Sequence, residues 1–343
     1  MSEADSSLPA LPVLPDSFTA LRCRSDGRTA AVGALESMTA AELSPGELLV
    51  RTRFAGVNYK DCLAITARAR IIEAYPRIPG IELVGDVAAS EVASFAPGTP
   101  VMAHGFRTGI AFDGGFSPWV RVPAAHAMAV PAGLDVREIA ILGVPGFTVG
   151  LCLDRFEQLG VTPASGPVAV DGATGAVGML AIAILARAGF EVVALTGKPS
   201  QESTLRALGA SQVLETGPLL ASRRALETER FAAAIDNVGG ALLGWLLKSM
   251  RSGGALASVG NASGNDYPGN VLPFIMRSVQ VFGVVANAPW PVRHRVWARL
   301  ASEWRPDFEC LEPHVRTIAL DALPAHCGRQ LAGATSGRTL VAF

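Results

Sequence analysis

One short segment limits the fold more than any other. The β-branched run Val168–Val170 leads through Gly172, Ala173, Thr174, Gly175, Ala176, Val177 and Gly178 into an apolar helical stretch over 176–188. Glycines between a strand and a helix allow backbone to approach a pyrophosphate at Gly175. They also allow the helix to pack close to the sheet at Gly178, leaving the free N–H groups and positive dipole of the helix N-terminus for phosphate. Ala173 departs from the G-x-G-x-x-G pattern, and a glycine triplet by itself marks only a tight turn. The context argues for more. Further strands are expected over 191–196, 212–215, 231–238, 254–260 and 279–286, with a helix over 201–208. Strands alternating with helices predict βαβ units and a parallel sheet covered on both faces.

The tip of the second of these strands selects the cofactor. NAD enzymes place Asp or Glu there for the ribose 2′-hydroxyl. This chain has Thr196, Gly197 and Lys198, with no carboxylate to repel a 2′-phosphate and a cation to attract it. NADPH is the expected cofactor; the plainer reading of Lys198 is a solvated surface lysine.

Outside this block the texture changes. From about 18 to 140, short apolar runs over 47–54, 81–87 and 119–122 are broken by Gly and Pro, as in a β-rich domain. Residues 1–17 read as a loose, proline-punctuated lead-in. A helical stretch with Trp297 and Trp304 follows residue 290, and 338–343 ends strand-like. The α/β block is thus expected as an insertion: 1–142 in a substrate domain, 143–287 in the nucleotide-binding domain, and 288–343 returning to the first.

With 343 residues, 50% hydrophobic and 17% charged, the chain can bury a large core. A net charge of −1 gives no pull toward nucleic acid or anionic membranes. No signal peptide is visible, and the uncharged run 172–186 falls short of the about 20 residues a bilayer span needs, so a cytoplasmic protein is expected. Cys23, Cys62, Cys152, Cys310 and Cys327 are scattered, and all five read as reduced, buried thiols. His104 and His126 lie far apart with no cysteine near them, which does not match the close ligand spacing of zinc; no metal is expected.

Several motifs, in order, resemble one known superfamily: 58–61 (Asn-Tyr-Lys-Asp), 78–82 (Ile-Pro-Gly-Ile-Glu), 145–148 (Pro-Gly-Phe-Thr), the glycine turn, 208–210 (Leu-Gly-Ala), 236–239 (Asp-Asn-Val-Gly) and 337–341 (Gly-Arg-Thr-Leu-Val). Together they resemble the zinc-free quinone oxidoreductase group of the medium-chain dehydrogenases/reductases. Residues 58–66 and 272–277 (Leu-Pro-Phe-Ile-Met-Arg) are most similar to the acrylyl-CoA reductase subfamily. The resemblance implies a Rossmann domain inserted into a GroES-like, β-rich catalytic domain. It places Asn58, Ile81 and Pro145 or Gly146 where zinc alcohol dehydrogenases carry their catalytic ligands, and none of these side chains suits zinc. It assigns the pyrophosphate to the glycine turn and Arg338, and the 2′-phosphate to Thr196, Gly197 and Lys198. Thr148, Val238, Gly260, Asn261, Phe282 and Gly283 are assigned to the rest of the cofactor. Two stretches depart from the subfamily, 104–115 and 283–288, and both are expected to border the substrate.

The resemblance implies reduction of an activated carbon–carbon double bond, with hydride added to the β-carbon of an enoyl thioester or enone. Charge then builds on the carbonyl oxygen, so a donor and a proton source are needed. Tyr59 is the leading candidate, with Asn58 orienting the nicotinamide or the carbonyl and Asp61 in support; pocket wall and structural carboxylate are the plainer readings of Tyr59 and Asp61. Other readings stay open: a quinone or enal reductase, a biosynthetic enoyl reductase, and a non-catalytic NADPH-binding protein. The apolar strand over 279–286 is expected near a sheet edge, where edges are usually covered or paired; the resemblance implies pairing into a homodimer, and the plainer reading is a strand buried within one subunit.

Overall fold

The computed structural model describes residues 13–25 and 32–343, so most of the expected lead-in lies outside the described residues. The chain forms two compact units, each assembled from separate stretches.

The first unit comprises residues up to Val130, Ile318–Leu331 and Val341–Phe343. A hairpin pairs β1 (Phe18–Arg22) with β2 (Ala34–Met38). A larger antiparallel sheet runs from β3 (Leu48–Gly56) through β4 (Glu82–Ser90) and β5 (Pro100–His104) to β7 (Ala127–Ala129), and β6 (Trp119–Val122) also pairs with β3. Between β3 and β4 stands one short helix, α1 (Tyr59–Ile65), which the sequence did not predict. Its inner face, Cys62 and Ile65, joins a core with Leu21, Ile78, Phe116, Leu323 and Cys327.

The second unit, Pro131–Thr317 with Ala332–Leu340, is built on a six-stranded parallel sheet. Its strands are β8 (Val168–Val170), β9 (Val192–Thr196), β10 (Ala210–Glu215), β11 (Phe231–Asp236), β12 (Met250–Ser258) and β13 (Gln280–Gly283), in the order β10-β9-β8-β11-β12-β13. Every pairing is parallel. That is the doubly wound order, with its switch point between β8 and β11, where such folds open a crevice at the carboxyl ends of the strands.

Helices α2 (Val136–Gln158), α3 (Ala176–Arg187), α4 (Glu202–Ala207), α5 (Thr216–Leu220), α6 (Gly240–Ser249), α7 (Leu272–Arg277) and α8 (Trp290–Leu300) complete the elements used below. The expected helices over 176–188 and 201–208 form. The strand expected over 279–286 contracts to four residues at the sheet edge, β13. Helix α2 was not foreseen, because Gly143, Pro145, Gly146 and Gly150 interrupt its pattern; it is two helical pieces joined at Gly143, where φ is 44° and ψ is −146°. It is long and apolar enough to cross a bilayer, but most of it is buried within this unit. Phe147 of α2 stacks on Trp297 of α8 with ring centroids 5.8 Å apart. This packing takes residues 131–142 and 288–317 into the second unit, whereas the sequence boundaries at 142 and 288 assigned them to the first.

Four cysteines are buried as expected, but Cys310 is exposed, its thiol 3.3 Å from Asp307 Oδ2. The turns around 307–314 are short, so the thiol finds no core to enter.

Candidate functional site

In the second unit the glycine turn lies at the sheet's switch point. Gly172 adopts a positive φ of 53°, a conformation that glycine takes readily. A methyl group at Gly178 would lie 2.4 Å from the Gly172 oxygen and 2.7 Å from the Ala173 Cα, so the tight strand–helix turn requires glycine there. Ala173 and Thr174 are buried, while Gly175 is exposed and caps α3 by its backbone alone. No side chain engages the first turn of α3, which begins at Ala176 and Val177. Its leading N–H groups and the positive end of its dipole are left for an anion.

The β11 loop closes on the same turn. Gly172 lies beneath Val238 Cγ1 and Asn237 Cβ, at 3.1 and 3.2 Å from where its own Cβ would be. Gly260 packs so closely on Asn237 that a methyl there would meet its oxygen at 2.2 Å. Gly172, Val238 and Gly260 are thus brought together. Gly283 pairs with Ser258 at the far edge of the sheet, and Phe282 sits edge-on to Phe156 of α2 at 5.7 Å. Asn261 is exposed and donates to Asn265 Oδ1 at 2.6 Å. Thr148 is buried in α2, its hydroxyl donating to the Val144 carbonyl.

Two buried carboxyls, to which the sequence reading gave no role, underlie this crevice. Asp171 follows β8 and Asp236 ends β11, both fully buried. Asp171 Oδ1 accepts from the Asn237 N–H at 2.5 Å, and Asp236 Oδ1 accepts from the Gly239 N–H at 2.9 Å. Burial and the neighbouring Asp236 carboxylate push Asp171 well above the usual carboxylate range.

At the tip of β9, Thr196 is buried and its hydroxyl accepts from the Lys198 N–H; Gly197 is exposed. Lys198 is not simply solvated: its Nζ donates to the Thr335 carbonyl at 2.7 Å. Two residues on, the Gly337 N–H donates to the Thr174 carbonyl at 2.9 Å. The loop 332–337 therefore ties the Lys198 ammonium to the glycine turn. Sequence reasoning missed it because 137 positions separate Lys198 from Thr335. Arg338, expected at the pyrophosphate, is buried with its guanidinium on the Ala140 and Ile141 carbonyls, bracing the kink of α2.

A dinucleotide fits these residues. The helix terminus is uncapped, glycine is required where backbone must come close, and the β9 tip carries a cation in place of a carboxylate.

The first unit holds the other group of candidates. Asn58 is the N-cap of α1 and forms a capping box with Asp61, at the third helical position: Asp61 Oδ2 accepts the Asn58 N–H at 2.9 Å, and the Asn58 side chain faces the Asp61 N–H. Asp61 Oδ1 accepts the Ile81 N–H at 3.0 Å. Asn58 Nδ2 donates to Glu82 Oε1 at 2.6 Å and to Asp61 Oδ2 at 3.2 Å. Burial is the largest influence on Asp61 and raises its pKa to about 7; the Glu82 charge adds to it, and the hydrogen bonds from Asn58 and Ile81 oppose it. Tyr59 is 37% exposed, and no hydrogen bond among the described residues holds its hydroxyl. Lys60 is also exposed.

Zinc does not fit here. Ile81 offers only an N–H already given to Asp61, Asn58 is engaged by carboxylates, and no group of three His, Cys, Asp or Glu able to hold a metal occurs among the described residues.

An uncapped helix behind a glycine turn at the switch point of a 3-2-1-4-5-6 sheet defines a dinucleotide-binding protein of the Rossmann class. Residues 44–132 match the family "Alcohol dehydrogenase GroES-like domain", and 176–302 match "Zinc-binding dehydrogenase". Among curated proteins, the chain is 38% identical to acrylyl-CoA reductase AcuI of Ruegeria pomeroyi, over 92% of this chain and 95% of that protein. It is 35% identical to the putative quinone oxidoreductase YhfP of Bacillus subtilis, over 90% and 93%. Among solved structures, the yhdH oxidoreductase of Salmonella enterica in complex with NADP superposes with a TM-score of 0.89 at 34% identity, covering 95% of this chain and all of that one. The chain belongs to the medium-chain dehydrogenase/reductase superfamily.

Proposed function

We propose that this protein is a zinc-independent, NADPH-dependent reductase of activated carbon–carbon double bonds, acting on short-chain 2-enoyl thioesters of the acrylyl-CoA type. The observation that carries the cofactor reading is Lys198, held by Thr335 at the tip of β9 where no carboxylate stands. The relatives that share most of this chain's length and bear the name acrylyl-CoA reductase support the substrate class.

When bound, NADPH supplies the hydride that adds to the β-carbon. The α3 N-terminus and the glycine turn hold the pyrophosphate: Gly175, whose own N–H is given to the Gly172 carbonyl, lets the backbone come close, and Ala176 and Val177 present N–H groups. Lys198 pairs with the 2′-phosphate beside Thr196 and Gly197. Arg338 serves the turn through its neighbour Gly337, by bracing the segment that joins Thr174. Thr148, Val238, Gly260, Asn261, Phe282 and Gly283 line the remainder of the dinucleotide. In the first unit, Tyr59 has a free phenol, a neutral donor for the developing enolate and a proton source for the α-carbon. Asp61 fixes the backbone of the turn that carries Tyr59.

A second reading is a quinone or enal reductase with the same cofactor, favoured by the likeness to YhfP. NADPH oxidation with acrylyl-CoA, crotonyl-CoA, a simple enal and a quinone, run beside NADH, separates the two. Fast turnover restricted to the thioesters supports the first reading. Turnover of enal and quinone alone replaces it with the second. NADPH binding with no turnover makes the protein a non-catalytic cofactor binder. Tyr59→Phe is expected to lower kcat by about 10²–10⁴-fold; unchanged kcat removes Tyr59 from the mechanism.

The assembly is a cytoplasmic homodimer in this reading. Edge strand β13 and helix α7 expose Val281, Ile275 and Met276, the last two at 69% and 66%. An apolar edge of this kind is covered in most proteins by pairing, here by a second copy. Sedimentation at micromolar concentration tests it, and a monomer refutes it.

A further inference from the structure

We propose that Asp171 is a positioning residue for the cofactor: it holds one proton against Asp236 and, while that proton is in place, sets the β11 loop over the glycine turn. This rests on the NADPH reading and deepens it, and every residue involved belongs to the second unit.

The register of the sheet brings the two carboxyls together. Strands β8 and β11 are parallel neighbours, with Val168, Ala169 and Val170 opposite Ala233, Ala234 and Ile235. The next step sets Asp171 opposite Asp236, and the Asp171 N–H continues the ladder to the Ile235 carbonyl at 3.2 Å. Neighbouring strands lie about 4.8 Å apart, so residues opposite each other project side by side. Both carboxyls are fully buried. Each gives one oxygen to its own loop: Asp171 Oδ1 accepts the Asn237 N–H at 2.5 Å, and Asp236 Oδ1 accepts the Gly239 N–H at 2.9 Å. Asp236 Oδ2 accepts from the Ser258 hydroxyl at 3.5 Å. Asp171 Oδ2 is buried and meets no donor among the described residues. A bare carboxylate oxygen in that position is costly. A proton on Oδ2 makes it a donor to the Asp236 carboxyl, which is within hydrogen-bonding reach, and the pair then carries one charge in place of two.

The groups that face the pair are few. The loop brings the neutral N–H groups of Asn237, Val238 and Gly239. The register places Leu195 of β9 beside Asp171 and Ser258 of β12 beside Asp236. None of these is a cation. Burial and the Asp236 charge keep the proton on Asp171 well above the usual carboxylate range, against the Asn237 and Val238 N–H groups. The proton is therefore present at low pH and leaves as the pH rises.

Asp171 grips Asn237 twice, because its backbone carbonyl also accepts Asn237 Nδ2 at 2.7 Å. Asn237 in turn leads into Val238, whose Cγ1 lies over Gly172, and backs Gly260. Loss of the proton sets two like charges opposite each other beneath the turn that receives an anionic cofactor. The loop and the anion are both disfavoured by it.

The test measures NADPH affinity by calorimetry from pH 7 to 9.5 for the intact wild type, Asp171→Ala and Asp171→Asn. Groups common to all three cancel in the comparison. Wild-type affinity is expected to fall at least about 5-fold across this range. Asp171→Ala takes the acceptor from the Asn237 N–H, and binding at pH 7 weakens about 10- to 100-fold. Asp171→Asn keeps an oxygen for that N–H and turns an uncharged donor toward Asp236, as the protonated acid does. It is expected to rescue the binding that Asp171→Ala loses and to show none of the alkaline fall, a change that a merely structural aspartate would not cause. Wild-type affinity that stays level, an Asp171→Asn curve parallel to wild type, or Asp171→Asn binding as weakly as Asp171→Ala overturns the proposal. In infrared spectra at pH 7, the carbonyl stretch of protonated carboxyls should lose one component in Asp171→Asn, and an unchanged band also overturns it. A wild type that binds no NADPH overturns the cofactor reading instead, and the infrared band still decides whether Asp171 holds the proton.

Discussion

Replacing Asp61 by asparagine removes a carboxyl that the fold holds in an unusual state, and the effect can be worked from the structure. Asp61 is completely buried, and its pKa stands at about 7, against about 3.9 in an unfolded chain. Between these values the folded protein keeps a proton that the unfolded chain releases. The stabilisation is therefore full at acid pH, is lost as pH rises toward 7, and is gone above it. Integrated from about pH 5 to about pH 8, the loss is about 2.5 kcal/mol. The introduced amide would not titrate. It would also replace one acceptor by a donor facing either the Ile81 N–H or the Asn58 N–H, at about 1–3 kcal/mol, but that term is the same at every pH. Asp171, also raised, titrates in both proteins and cancels in the difference. Urea denaturation of wild type and Asp61→Asn at pH 5, 6, 7 and 8 should give curves that converge by about 2.5 kcal/mol toward alkaline pH. Parallel curves would show that the Asp61 proton is not linked to folding, and with it the account of the α1 carboxyls would fall.

Gly178→Ala sets a methyl 2.4 Å from the Gly172 oxygen; overpacking of about 1–3 kcal/mol exceeds the helix gain of up to about 1 kcal/mol. Thermal melts should show a lower midpoint, and NADPH should no longer raise it; full stabilisation by NADPH would contradict the reading of the turn. Lys198→Ala should weaken NADPH binding about 10- to 100-fold, from about 1.5–3 kcal/mol for a charge-assisted bond, and leave NADH unchanged by calorimetry. Asp171→Asn should lessen the loss of stability on the alkaline side of the usual carboxylate range, because its folded-state pKa is raised and its stabilisation disappears as pH climbs; denaturation at pH 6 and 9 checks it.

What the sequence made legible was local. The strand, glycines and helix of 168–187 are contiguous, and each states its conformation through its own residues, so the cofactor crevice could be read along the chain. Helix α2 could not be, because its glycines and Pro145 break the apolar period and its helicity depends on packing against α8. Lys198 was seen, but not Thr335, which holds it from far along the chain. Asn58 and Asp61 were seen as neighbours in a motif. Glu82 was quoted in another motif, but its bond to Asn58 spans 24 positions and exists only because β4 brings it there. Side-chain commitments escape the linear reading in the same way: Arg338 looks like a phosphate ligand until the α2 kink supplies carbonyls for it.

The tie between Lys198 and Thr335 also bears on how this protein is made. The ribosome adds about 5–20 residues per second, so Lys198 emerges about 7 to 27 seconds before the loop that fixes it, 137 positions later. Throughout that interval the glycine turn lacks the hydrogen bond from Gly337. A nascent chain can thus form its parallel sheet while still grasping the nucleotide poorly. On the proposed reading, firm NADPH binding would then depend on the 332–337 loop being in place, and loss of that loop would be felt first as weaker cofactor binding.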